Sequence, residues 1–472
     1  MRSRTYLILT LSALLLIHLL VFTIHLVRPP DPLPDSTEYL NASTNIYTRG
    51  TLYCGQLTEP IREELFTRRP PLYPLLLGVA LLTGSTIPVL LLQSLFSLLS
   101  IFLIIKIFGT GIHTLGNTSG RFFPTRKTFY YLLLLLLIFT PAQFIYSNRI
   151  MTEIPFQLIL VLMTWTIYRY FRVPEDGEQK AGAGIYVWLF YFLLSLGMAM
   201  KPVLFPFLIP AALYGVYSFI RTKKIVWILG LLIPLCWVTG YTIHNKQRTG
   251  SYQYSSIQTA NLVNYNLRYF VMAEEGTNRA AETVDALYDK CRSAAEYADK
   301  NRCLSGGVKE MIMKEPFRYT WFHLKGSITY FLDPGRFDLV TFFSLSSPDS
   351  PGIMQAIHED GLRGILRFLK SQGWGWILVL GLIGLFKVIK LTGLVIYLLR
   401  GRNELPFKIF LALLIGYLAL VTGPLGASRF LLPVELLLIG ASLKGWMMLL
   451  YGSENSPTDR ESGKVLSDRV TG

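Results

Sequence analysis

Charge is what this chain has least of: Asp, Glu, Lys and Arg make up 16% of its 472 residues, while 51% are hydrophobic. Soluble proteins carry charge on about a quarter of their residues, so this balance excludes an ordinary soluble chain and reads as a polytopic membrane protein. Cysteine is scarce too. There are four, with no Cys-x-x-Cys pair, which excludes a disulfide framework and a dithiol redox motif. No two of the six histidines stand at H-x-x-x-H spacing, and there is no G-x-S-x-G elbow, no nucleotide-binding glycine motif and no internal repeat. The formal charge of +15 does not point to nucleic acid, because the basic residues gather at the ends of apolar segments, where they set membrane orientation.

What is present is a succession of long apolar runs. They fall at about 5–26, 88–108, 129–146, 154–171, 185–200, 202–220, 225–243, 374–398, 407–423 and 430–450, which predicts about ten membrane-spanning helices. The first run has a charged start and no small-x-small cleavage site, so it reads as a span and not as a removable signal peptide. "PPLYPLLLGVALLTG" at 70–84 is too short to cross and opens with two prolines, which suits a juxtamembrane or re-entrant helix. Leaving it out of the count puts Lys106, Arg121, Arg126 and Lys127, then Arg169, Arg172 and Lys180, then Arg221, Lys223 and Lys224 on the cytoplasmic side. The short loops opposite then carry only isolated cations: Arg149, Lys201 and Arg429.

Two segments on that opposite side are long, 27–71 and 244–373. Within the second, the stretch from Glu274 to Arg302 is charged and Ala-rich and predicts a solvated helix. The following one, around 307–326, mixes Met311, Phe317 and Trp321 with Lys309, Lys314 and Arg318, as a helix lying at the membrane interface would. Cys291 and Cys303 could close a short loop there if that side is oxidising, whereas Cys236 reads as a small buried hydrophobe. The tail after Tyr451 is polar and reads as disordered.

Three acids stand out. In "PDSTEYL", Asp35 and Glu38 lie three residues apart just past the first span, the spacing of a helix capping box, and a carboxylate at that place can also serve as a general base or metal ligand. Glu153, in "SNRIMTEIPF", falls in a very short turn on the same face, where capping the following helix is the plain alternative. Lys201 in "GMAMKPVLFP" and Arg429 in "GASRFLLPVE" sit at helix ends on that face. Each could snorkel to the interface, or the two could hold a phosphate beside a base.

The order of "DSTEYLNASTNIYTRGTLY", "RRPPLYPLLLGVALLTG", "TEIPFQLILVLMTWTIYRY", "MAMKPVLFPFLIP" and a late "SRFLLPVELLLIGA" resembles the GT-C integral-membrane glycosyltransferases, within them the family 39-like branch of protein O-mannosyltransferases and aminoarabinose transferases. The resemblance implies an all-α GT-C fold with about ten transmembrane helices, juxtamembrane helices and a long periplasmic loop. The implied division is an N-terminal catalytic membrane module over 1–243 with its first periplasmic loop at 27–71, an interfacial helical loop over 244–373, C-terminal membrane helices over 374–450 and a cytoplasmic tail over 451–472. It implies a sugar donor on a polyprenyl-phosphate carrier and a lipid, glycan or protein acceptor, with both termini cytoplasmic in a bacterial inner membrane. Of the residues, it implies Asp35, Glu38 and Glu153 as catalytic acids, and Lys201, Arg429 and Arg69 at the donor phosphate. Relatives often carry adjacent acids where this chain has Asp35 followed by Ser36, so a divalent metal and the identity of the base stay open. The rival expectation is a transporter or lipid flippase, which needs ionisable groups near the middle of spans.

Overall fold

With no water to bond backbone groups in lipid, an apolar run must fold as a helix or a closed barrel. The computed structural model describes residues 2–109, 126–172, 182–345, most of 361–373, 374–400 and 404–451, and among these there are helices and no strands. Arg121, Lys180, His113, His358 and the tail beyond 451 lie outside the described residues.

Every expected span falls on a helix, but fewer than ten have the length to cross. Among the described residues eight are long and apolar enough: Thr5–Val27, Ile87–Phe108, Glu153–Phe171, Pro202–Thr222, Val226–Thr249, Trp374–Leu399, Leu405–Thr422 and Ser428–Leu450. A ninth is broken, Lys127–Ile138 and Pro141–Ser147 meeting at 67°. Pro141 accounts for the break, since it has no N–H to donate back into the first helix. Gly184–Met200 has 17 residues, about 25 Å at 1.5 Å per residue, short of a hydrocarbon core of about 30 Å.

Ser428–Tyr451 is the central helix, packed against Trp374–Leu399, Glu153–Phe171 and Ile87–Phe108. It approaches Trp374–Leu399 backbone to backbone: a Cβ added at Gly445 would lie 2.0 Å from the Gly393 carbonyl oxygen, and one at Gly393 would meet Ser442 at 2.2 Å. Small residues at such a crossing permit the close approach that helix association in lipid depends on. Buried amides run through the bundle as well. Gln93 accepts from Tyr73, Gln143 and Gln157 bond each other, and Gln157 donates to the Leu432 carbonyl. His18 belongs to this network as a satisfied core histidine, paired with Ser97 and the Leu14 carbonyl.

Outside the spans, Leu72–Leu76 and Gly78–Thr83 form the short apolar piece expected at 70–84, with Leu82 fully presented to the surroundings. The stretch from Glu274 to Arg302 departs from the solvated helix expected of it. Thr277–Lys290 and Tyr297–Lys314 are separate helices that bury Ala280, Val284, Leu287, Leu304 and Val308 against Val263 and Leu267, and Cys291 is disulfide-bonded to Cys303 at their junction. Pro316 starts a further helix, Pro316–Leu332, whose Phe317, Trp321 and Ile328 face outward as an interfacial surface would. Cys236 is exposed on the outer surface of its span, so it is not the buried hydrophobe the sequence suggested.

Candidate active site

The helix Pro34–Arg49 starts on a proline at its first position, with Leu33 as N-cap and no side-chain cap bond. Proline suits that position because it has no N–H to leave unpaired. The capping box expected between Asp35 and Glu38 therefore does not form. Both carboxylates turn instead to arginines of the segment that follows: Asp35 Oδ1 accepts from Arg69 at 2.5 Å, and Glu38 accepts from Arg69 at 2.6 Å and pairs with Arg68 at 2.8 Å. Arg69 is nearly buried, and its guanidinium lies 5.0 Å from the Tyr39 ring, which itself packs edge-on against Tyr73.

Asp35 also reaches across the molecule. Its Oδ2 accepts from Arg429 at 2.6 Å, and Arg429 lies 3.4 Å from Glu153, whose same oxygen accepts from Lys201 at 3.0 Å. Asp35, Glu38, Glu153, Lys201, Arg69 and Arg429, scattered over nearly four hundred residues of sequence, are thus one connected ion network at one end of the bundle, joined by Arg68. Three carboxylates meet four cations, which leaves one positive charge in excess. Arg149, the third isolated cation, is elsewhere, bonded to Thr341 and set over the Phe342 ring.

Three helix N-termini converge on this network, those of Pro34–Arg49, Glu153–Phe171 and Ser428–Tyr451. Carboxylates in a first helical turn are favoured by the helix dipole, but a cation such as Arg429 in that position is not. Its placement needs an anion in front of it, which Asp35 and Glu153 supply. Burial by itself would raise the Asp35 carboxyl, yet Arg69 and Arg429, with Lys201 farther off, outweigh it and hold the group well below the ordinary carboxylate range. Among the described residues, one buried oxygen of Glu153 has no hydrogen-bond partner, nor has Nε of Arg429.

Sequence reading missed the residues that fix Arg429 in place. Asp338 is buried, accepts from Tyr146 at 2.7 Å and accepts a short hydrogen bond from the Ser428 hydroxyl, while Asp333 accepts from the Ser428 backbone N–H at 2.6 Å. Burial pushes the Asp338 carboxyl up. The signal was present in "LDPGRFDL", two acids around a Pro-Gly turn, but that stretch reads as the end of an interfacial helix. A second omission lies mid-membrane. Glu435 is paired with Lys390 by a short hydrogen bond and faces Lys387 at 3.7 Å, and Lys390 also donates to Thr140 at 3.0 Å.

The donor set does not suit a resident divalent metal. Among the described residues no three of His, Cys, Asp and Glu gather closely enough to hold one, and Asp35 and Glu38 have both their oxygens on guanidinium groups.

Fold and network together define an all-helical integral membrane protein with a buried ion network at one end of its bundle, cationic by one charge. No family model and no curated protein matches the chain. Among solved structures it is similar to the crystal structure of ArnT from Cupriavidus metallidurans bound to undecaprenyl phosphate, at 14% identity, over 94% of this chain and 78% of that one, with a TM-score of 0.40.

Proposed function

We propose that the chain is a GT-C membrane glycosyltransferase that moves a sugar from a polyprenyl-phosphate carrier to an acceptor on the extracytoplasmic side. The observation that carries this reading is the ion network itself, in which acids and cations from five separate segments meet beside a membrane with one positive charge to spare. A polyprenyl phosphate bound to sugar is a phosphodiester with a single negative charge, so it would balance the network. Arg69, Arg429 and Lys201 would hold its oxygens, Arg through paired N–H donors and Lys as a point charge. The convergent helix N-termini favour the same anion. The carrier's long apolar chain stays in lipid, where the exposed apolar residues of 72–83 offer it a surface.

The step then follows from these charges. An acceptor hydroxyl attacks the anomeric carbon and gives its proton to a carboxylate. The bond from that carbon to the phosphate oxygen breaks, its electrons staying on the phosphate, whose growing charge the cations stabilise. Asp35 clamped by two arginines is a weak base. Donor phosphate that draws Arg429 and Arg69 toward itself removes that clamp and restores the proton affinity of Asp35, so that the base is switched on by the donor. Glu153, with one unpartnered buried oxygen, is the alternative base.

A transporter or flippase is the second reading, favoured by Lys387, Lys390 and Glu435 in the middle of spans. Against it, these three are locked to one another and to Thr140, and the cavity beside them has room for about one water. The decisive test is transfer of labelled sugar from polyprenyl-phosphate donor in membranes holding the intact protein, Asp35→Asn or Glu153→Gln, at equal folded amounts. Asp35→Asn is expected to lower transfer about 10²–10⁴-fold, the usual contribution of a positioned base. Unchanged transfer in Asp35→Asn with loss in Glu153→Gln moves the base to Glu153. Unchanged transfer in both variants removes the mechanism.

A further inference from the structure

The acceptor is the part of the reaction that the ion network says nothing about. A separate cavity of about 330 Å³ opens beside the outer end of Val226–Thr249, within the ~300–1,000 Å³ typical of small-ligand sites. Its lining contains no Asp, Glu, Lys, Arg or His. What lines it instead is aromatic, amide and hydroxyl: Phe205, Tyr252 and Tyr254, with Gln253, Gln258 and Asn301 and three threonines. An anion would find no counter-charge there, and a lipid chain would face the Gln258 amide, whose hydrogen bonds to water it cannot replace. A neutral polyol with apolar C–H faces matches both halves of the lining.

The wall is rigid where it needs to be. Tyr254 stacks on Phe205 at 4.7 Å and accepts from Trp237 at 3.0 Å, and the Gln253 amide is held by Thr67, Tyr297 and Asn301. On the open side, the side chains of Tyr252, Gln258 and Thr259 bond no protein group among the described residues, and Tyr252 is 64% exposed on the rim. Such a site presents free donors and an aromatic face over a fixed floor.

The cavity is also tied to the ion network through the chain. Its wall segment is stitched to 64–68: Ser256 N–H donates to the Thr67 carbonyl, the Ser256 hydroxyl to the Glu64 carbonyl and the Ser255 hydroxyl to the Arg68 carbonyl. The next residue after Arg68 is Arg69, which clamps Asp35. Phe205 follows Lys201 by four positions, Lys201 being the N-cap of the short helix Pro202–Phe207 that carries Phe205.

We propose that this cavity is a subsite for a neutral saccharide, placed so that one end of the bound glycan reaches the ion network. The proposal rests on the transferase reading above and adds the chemical class of a reactant to it. The saccharide is either the acceptor glycan or the sugar of the donor, and the two are separable by experiment. The full-length protein in detergent is overlaid on an array of neutral and anionic oligosaccharides, together with Tyr252→Ala and Gln258→Ala. Binding of neutral oligosaccharides, weakened about tenfold or more in Tyr252→Ala and Gln258→Ala, is expected from the loss of a stacking face or an amide bond. Binding of anionic glycans alone, no binding of neutral ones, or binding indifferent to both pocket variants overturns the proposal.

Release of sugar from the donor to water then assigns the source. Pocket variants that keep this release while the acceptor KM rises mark an acceptor subsite, and variants that lose it mark a donor-sugar subsite. If the intact protein transfers no sugar while neutral glycans still bind through Tyr252 and Gln258, the transferase reading fails and the saccharide site stands.

Discussion

Asp35 shows how much a single carboxyl depends on what surrounds it. From sequence it is a helix cap. In the fold it bridges Arg69 and Arg429 and is depressed by them despite its burial. A carboxyl whose folded value lies below its unfolded one, about 3.9, stabilises the protein above that pH and loses the contribution as pH falls toward the folded value. Thermal denaturation in detergent is therefore expected to find Asp35→Asn less stable than the parent at neutral pH, with the gap narrowing below about pH 4. A gap that stays constant with pH would mean that Asp35 does not contribute through its charge. Six of the seven network members were named from sequence, five as charges beside apolar runs and Arg69 through the family resemblance, while Arg68 was missed. Their pairing was not legible, since Arg68 and Arg69 are two of several basic residues in a long loop and nothing local assigns them to Glu38 and Asp35.

At the scale of the element, Ser428–Tyr451 ties one face of the membrane to the other. Arg429 meets the acids at its first turn, Glu435 meets two lysines a turn and a half on, and Lys444 pairs with Glu404 at 2.7 Å near its far end. The middle contact is unbalanced, with two cations on one carboxylate, and this makes its members unequal. Lys387→Met leaves a charge-balanced pair, whereas Glu435→Gln strands two buried ammonium groups. Stranding a buried charge costs about 3–5 kcal/mol. The expected outcome is a large loss of folded protein and of thermal midpoint in Glu435→Gln, and a small change or a gain in Lys387→Met, read by detergent chromatography and thermal unfolding. Equal losses would show that Lys387 and Lys390 do not share Glu435. Hydropathy located this helix to within a few residues. It could not reveal that the central element of the bundle comes last in sequence, because apolar periodicity says which residues avoid water and not which helix is their neighbour.

For the whole molecule, the open question is sidedness. The excess of Lys and Arg on alternate loops predicts that the ion network faces the extracytoplasmic side, and the Cys291–Cys303 disulfide accords with that, since such bonds persist in oxidising compartments. A membrane-impermeant maleimide applied to intact cells is expected to label Cys291 and Cys303 only after reduction, and from outside; labelling only after the membrane is broken would invert the topology. The ion network draws on both halves of the chain, Asp35, Glu38, Arg69, Glu153 and Lys201 from the first and Arg429 from Ser428–Tyr451. The sequence by itself determined the membrane class, the helical architecture, the places of most spans and the six charged residues worth testing. These depend on composition and on spacing along one chain, where the hydrophobic effect and helix periodicity act locally. The tertiary structure alone brings the carboxylates from capping to ion pairing, sets Asp333 and Asp338 on Ser428 beside Arg429, joins Glu435 to Lys387 and Lys390 within the spans, and forms a cavity without charged side chains in its lining among the described residues. Each of these joins residues far apart in sequence, and Coulomb and hydrogen-bond energies depend on distance in space, which spacing along the chain does not supply.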